Sequence, residues 1–313
     1  MSLKAGLVTL GAIFLLLAGL KLDGLPYIRQ DARYSDSVLA HWPNALFLSE
    51  SVWVRHEFPV WRETTMAGQP FAANPLNKTT YPLQWLALIL QPAVHLNLMI
   101  MLHLFLAGAG MWCWTRTLNL RREAVVLATV AYVFAPRMMG HLAAGHLDIV
   151  YALAWWPWLM WSVRQLFVQS NGGWRLGLQF GMIAAFILLA DMRVSVFALV
   201  SAAFYGAICS DLRMSRLVMQ RSLVGIIVCL ILVAALFIPL VSWQPFMSRS
   251  GMTVADAGAL SLDSGQLIGL LLPANHSDIE RLTYLGLPVL VLAKPKKFTA
   301  ISSTAPGCLG LSP

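Results

Sequence analysis

Charged residues are scarce in this sequence. They fill 12% of its 313 positions, against 58% that are hydrophobic, where a soluble domain carries about 25% charged residues. That shortage, with a mean hydropathy of +0.68, excludes a water-soluble globule, which has no way to hide so much apolar surface. Cysteine is sparse too. Cys113, Cys209 and Cys229 lie in apolar runs and Cys308 in a polar tail, with no CxxC and no Cys/His spacing, so neither a disulfide framework nor a zinc site is expected. The sequence also lacks a P-loop, a GxGxxG turn, an HExxH helix and a GxSxG elbow, and shows no internal repeat of the transporter kind. The net charge of +8 and a pI near 9.6 do not point to nucleic acid. The bases sit in short segments between apolar runs, where they act as topology signals beside anionic lipid.

What the sequence has is apolar runs long enough to cross a bilayer as helices, for which about 20 residues are needed. Lys4 precedes the run Ala5–Leu20 without a convincing cleavage site after it, so this reads as an uncleaved first span. Further spans are expected at His95–Trp114, Ala124–Phe134 (extending toward Met138), Ile149–Val163, Leu176–Leu189, Val194–Cys209 and Leu223–Val241, with a last one from Tyr284. The fold class is therefore an all-α polytopic membrane protein with about eight transmembrane helices. The short apolar piece Tyr81–Gln91 reads as a re-entrant or interfacial helix.

The positive-inside rule places the N-terminus in the cytoplasm. This orientation keeps Arg116, Arg121, Arg122, Arg164, Arg175, Arg213, Arg216, Arg221, Lys294, Lys296 and Lys297 inside. It makes residues 21–80 a long first extracytoplasmic loop and 244–281 a later one, within a transmembrane domain over 1–293. Residues 294–313 form an atypical tail. The run Tyr284–Ala293 supplies only half a span before it, so the tail reads either as native cytoplasmic sequence or as the mark of a truncated or out-of-frame gene, in which case the chain is impaired as a catalyst.

Chemistry is expected in the first loop. Asp31–Pro82 gathers acids (Asp31, Asp36, Glu50, Glu57, Glu63), aromatics (Trp42, Trp53, Trp61, Phe71) and amides (Gln69, Asn74, Asn77) just outside the membrane. Carboxylates, stacking faces and amide donors are what a sugar site needs, although a solvated loop with interfacial tryptophans has the same composition. Downstream, His141, His146 and Asp148 stand as HxxxxHxD, near enough for a divalent cation but without the i, i+4 spacing of a helical metal site. Hydrogen bonding is the weightier reading, and no metal ligand is assigned. His95 and His103, inside a span, are expected to be satisfied packing histidines, and Trp155–Trp161 interfacial or packing aromatics.

The order of short motifs along the chain carries a resemblance. An acidic pair follows the first span, then Trp42–Pro43, FPVW at Phe58–Trp61, AGQPFAANP at Ala67–Pro75, YPLQWL at Tyr81–Leu86 and GHLAAGHLDIVYALAWWPWLMW at Gly140–Trp161. PFMSRSG at Pro245–Gly251, LLLPANH at Leu270–His276 and YLGLPVLVLA at Tyr284–Ala293 complete the series. In this succession the chain resembles YfhO-like proteins of the GT-C superfamily of membrane glycosyltransferases.

The resemblance implies a GT-C-like enzyme of a bacterial inner (plasma) membrane. It would take a sugar from a polyprenyl-phosphate-linked donor and pass it to a glycan, lipid or protein acceptor on the extracytoplasmic side. It also implies an acidic general base in the first loop. Asp36 in RYSDSVLAHWP matches that position best, with Asp31 as the alternative. A lipid-phosphate leaving group calls for cations, for which the external candidates are Arg193, Arg249, Arg137 and Lys78, each with an alternative as a headgroup-facing side chain. Arg193 carries the most weight, because with Asp191 it makes up a very short external turn. His146, Asp148, Asn74 and Gln69 are further candidates for substrate contact. The competing functions are a transporter or flippase of lipid-linked sugars, using the same aromatics and bases, and a non-catalytic membrane partner.

Overall fold

The computed structural model describes residues 11, 35–169, 172–210, 215–247, 251 and 253–258. The expected first span, apart from Gly11, and the last span from Tyr284 lie outside the described residues, as do the 294–313 tail and most of the 244–281 loop.

The chain within these bounds is mostly helical. A π-helical turn at Ser37–His41 leads into α1, Trp42–Trp53. Two short strands, β1 (Trp61–Arg62) and β2 (Gln69–Pro70), pair antiparallel with Trp61 opposite Pro70. After 3-10 turns at Pro75–Asn77 and Pro82–Leu88 come α2 (Pro92–Arg116), α3 (Arg122–Val133) and α4 (Pro136–Ala144). Then follow α5 (Leu147–Val168), α6 (Gly173–Ala190), α7 (Met192–Cys209), α8 (Arg216–Trp243) and the short α9 (Val254–Gly258).

Local chemistry sets these boundaries. Pro92 opens α2 at a position where a missing N–H costs nothing. The expected span over 124–138 breaks into α3 and α4 because Pro136 holds Ala135 in an extended conformation, with ψ 137°. Gly145 ends α4 at φ +82°, a conformation other residues resist. Asp191 alone separates α6 from α7, and its carboxylate caps α7 by accepting from the backbone N–H of Arg193 at 2.7 Å and of Val194 at 2.9 Å.

Among the described residues, five stretches are long and apolar enough to cross a membrane: Pro92–Arg116, Arg122–Ala144, Gly173–Ala190, Met192–Cys209 and Arg216–Phe246. The sixth expected span in this region is α5, a 22-residue helix whose tryptophans, Asp148 and Arg164 dilute its apolar character. It is the axis of the bundle. Leu147, Val150, Ala152, Ala154 and Leu159 are fully buried. Parallel to it runs α2, with the Trp158 indole donating to the Leu106 carbonyl at 2.9 Å and the His103 and Tyr151 rings stacked 3.9 Å apart.

Pro157 in α5 has no N–H for the Leu153 carbonyl. That carbonyl instead accepts the Tyr132 hydroxyl from α3 at 2.7 Å. On the other flank, Gly177 and Gly181 of α6 lie directly against the α8 backbone at Arg221 and Gly225, where no Cβ fits. Small residues at this spacing let two membrane helices approach closely.

Helix direction sorts the charges. The C-terminal ends of α2 and α5 and the N-terminal ends of α3, α6 and α8 bring Arg116, Arg121, Arg122, Arg164, Arg175, Arg216 and Arg221 to one end of the bundle. There Arg221 is buried and donates to the carbonyls of Leu166 and Gln169, closing α5 onto α8. The other end carries the folded part of the first loop. It is a packed cap rather than a solvated loop: Phe71 and Tyr81 are fully buried. The Asn44 amide donates to the Asn77 side chain at 2.8 Å, Arg62 to Asn44 at 2.9 Å, and Asn77 to the Phe71 carbonyl at 3.0 Å. The expected helix over Tyr81–Gln91 is a 3-10 run wedged against Ala45 and Leu48 of α1.

Candidate functional site

Beneath this cap, at the end of the bundle remote from the arginine collar, the titratable side chains converge. Asp36 stands just before the π-helical turn, with its side chain half exposed, and its Oδ2 lies 3.4 Å from His146 Nε2. The close approach depends on Gly145, since a Cβ there would fall 2.6 Å from the Ser37 nitrogen and 3.1 Å from that of Asp36. Behind His146, its Nδ1 meets His141 Nδ1 at 3.2 Å.

Next to this chain Lys78 is sequestered, only 2% exposed. It occupies a left-handed C-cap position, φ +55°, that turns its side chain inward. Its Nζ is 3.4 Å from His41 Nδ1 and 5.8 Å from the Tyr151 ring. Burial lowers the Lys78 pKa, opposed by the negative charge of Asp148, Asp191 and Asp36. Burial, and then the neighbouring Lys78 charge, hold the His41 pKa well below its ordinary value, so this imidazole is neutral at pH 7.

On the other side, Arg193 Nη2 lies 2.6 Å from both Asp148 Oδ2 and Asp191 Oδ2. The two carboxylates are nearly inaccessible, while 66% of the arginine side chain remains open. Burial works against ionisation of Asp191, but hydrogen bonds from the Arg193 side chain and the Val194 backbone outweigh it and lower the pKa. Arg193 thus does more than shape its own turn, because it joins the start of α7 to the start of α5. It borders a cavity of about 510 Å³ lined also by Gln69, Asn74, Asp148, Asp191, Leu240 and Met247. Trp61 stacks obliquely on Trp243 at 5.7 Å, close to Leu240 and Met247 in the chain.

Of the residues the sequence singles out, Asp36, Lys78, His146, Asp148 and Arg193 meet at this end, and Gln69 and Asn74 line the cavity beside them. Asn74 has a local duty as well, since its side chain caps the 75–77 turn by accepting from the Leu76 N–H at 3.0 Å. Asp31 and Arg249 lie outside the described residues.

Among the described residues no three His, Cys, Asp or Glu side chains are placed to hold a metal ion. His141 and His146 face each other and Asp148 is turned to Arg193. His103 is satisfied as expected, through Tyr81 at 2.7 Å and the Met99 carbonyl at 2.6 Å. His95 departs from expectation, for it is buried with no hydrogen-bond partner at either ring nitrogen. Sequence reasoning missed His41. Nothing in HWP distinguishes a buried histidine from a loop one, and the partner beside it, Lys78, lies 37 positions away. Compared with known proteins, the chain matches no family model, no curated protein and no solved structure.

Proposed function

We propose that this protein is a membrane glycosyltransferase of GT-C type that moves a sugar from a polyprenyl-phosphate-linked donor to an extracytoplasmic acceptor, with Asp36 as general base. The observation that carries this reading is a half-exposed carboxylate 3.4 Å from a histidine, at the same end of the bundle as a cavity lined by amides, carboxylates and an accessible guanidinium. In a single displacement Asp36 takes the proton of the acceptor hydroxyl as that oxygen bonds to the anomeric carbon. The bond from that carbon to the phosphate oxygen breaks, and the polyprenyl phosphate leaves with the electron pair. One base suffices when the hydroxyl is held in line.

Arg193, with Arg249, would meet the leaving phosphate. Lys78, too buried for contact, would contribute its field. The proposed orientation puts the arginine-rich end in the cytoplasm and this site outside, with about eight spans in the whole chain and the bacterial inner membrane as its location.

The test uses the full-length chain in membranes supplied with a short-chain polyprenyl-phosphate hexose, with release of polyprenyl phosphate followed by mass spectrometry. Asp36→Asn is expected to reduce release by about 10²–10⁴ while leaving membrane insertion intact. Full turnover by Asp36→Asn together with loss in Asp31→Asn would move the role of base to Asp31. Full turnover in both would end the reading.

A further inference from the structure

The ring-nitrogen contacts along the chain Asp36–His146–His141 bear on where the protons are. His141 Nε2 is buried with no hydrogen-bond partner. An orphaned buried N–H is rarer than a bare acceptor, so the proton of the neutral ring belongs on Nδ1. The contact at 3.2 Å between the two Nδ1 atoms then admits one arrangement, in which His141 Nδ1–H donates and His146 Nδ1 accepts. A neutral His146 therefore carries its own proton on Nε2, the nitrogen 3.4 Å from Asp36 Oδ2. A ring nitrogen's partner is what fixes a histidine tautomer.

We infer that His146 is a positioning residue for Asp36: its Nε2–H engages one carboxylate oxygen and leaves the other to receive a proton, and His141 locks His146 in the tautomer that can do so. This rests on the reading of Asp36 as base. Nothing flows along the chain. Its inner end at His141 Nε2 has no acceptor, so it orients and does not relay. The backbone supports the arrangement. The α4 helix ends on Gly145, His146 follows it, and the bare glycine lies against Ser37 and Asp36, so the imidazole and the carboxylate are presented by segments in direct contact.

The experiment compares His146→Leu with His146→Gln in the transfer assay, alongside Asp36→Asn, using the full chain and the same short-chain polyprenyl-phosphate hexose. The leucine variant is expected to lose about 10–100-fold in kcat with KM little changed, the effect of removing one hydrogen bond to a charged group. Glutamine, which keeps an N–H donor at similar reach, should recover most of that loss. A packing role alone would treat both substitutions alike.

Independently of transfer, solid-state NMR of the wild-type chain with ¹⁵N-labelled histidine, assigned by single substitutions, should find His146 protonated on Nε2 and His141 on Nδ1 at pH 7.5. Normal kcat in His146→Leu with an inactive Asp36→Asn, or the opposite tautomers, would overturn this inference and leave the glycosyltransferase reading standing. An active Asp36→Asn would remove Asp36 as the base and this inference with it, would end the glycosyltransferase reading only if Asp31→Asn were active too, and the tautomers would still report whether the histidine pair is ordered as described.

Discussion

A neutral histidine beside a buried lysine has a signature in pH. Because burial and Lys78 lower the folded-state pKa of His41, the unfolded chain binds a proton more readily than the folded one. Stability from this residue is therefore complete above its ordinary value of 6.5 and is lost as pH falls below it. Asp191, also lowered, acts with the same sign but only nearer its ordinary 3.8. The melting temperature of the wild-type chain in detergent should drop between pH 7 and pH 5, and His41→Gln, which keeps an acceptor for Lys78, should flatten part of that drop. An identical decline in the variant would mean that His41 is not the neutral partner. Gly145 makes a sharper demand, for both its φ of +82° and its contact with Ser37 resist a side chain. Gly145→Ala should lower the melting temperature and impair sugar transfer beyond what the stability loss alone explains, since it pushes His146 away from Asp36.

At the level of elements, the spans were legible because apolar length is a local property. α2, α6 and α7 fall within a few residues of the runs expected at His95–Trp114, Leu176–Leu189 and Val194–Cys209. α8 extends well beyond Leu223–Val241 toward Arg216, since Ser215 caps it through the Val218 N–H. The cap over the site was not legible. Its order comes from pairings such as Asn44 with Asn77 and Trp53 with the Leu88 carbonyl, which join positions more than thirty apart and leave no periodicity to read. Asp36, Arg193 and Lys78 could be nominated through the resemblance, and His141 and His146 by their spacing, but not the pairing of these histidines with Asp36, which depends on α4 ending where it does. The glycines between α6 and α8 give an element-scale prediction. Gly181→Val should force the helices apart at the cost of about 1–3 kcal/mol, the range for overpacking, measurable as a lower midpoint in SDS titration from mixed micelles. An unchanged midpoint would mean that the close approach is dispensable.

For the molecule as a whole, the separation of an arginine-rich end from the end bearing Asp36, Asp148 and Asp191 supports the proposed orientation. With Cys308→Ser in the background and Cys113, Cys209 and Cys229 buried, a cysteine at Met66, which is 88% exposed, should react with an impermeant thiol reagent on intact cells. One at Arg121 should react only after the membrane is opened. The reverse pattern would invert the topology.

The Leu153 carbonyl, released by Pro157 and taken up by Tyr132, bears on how the helices recognise one another. Apolar faces in lipid are nearly interchangeable, and a helix can rotate or slide along its neighbour with little penalty. A single thirsty oxygen on α5, in a medium without water, breaks that degeneracy: α3 can quench it in only one rotation and at one height. Proline here writes an address into an otherwise featureless wall, and Tyr132 is the key that reads it. Tyr132→Phe should therefore cost more in the sharpness of helix arrangement than in overall stability, visible as broadened spin-label distances between α3 and α5. Distances as narrow as in the wild-type chain would show that the address is redundant.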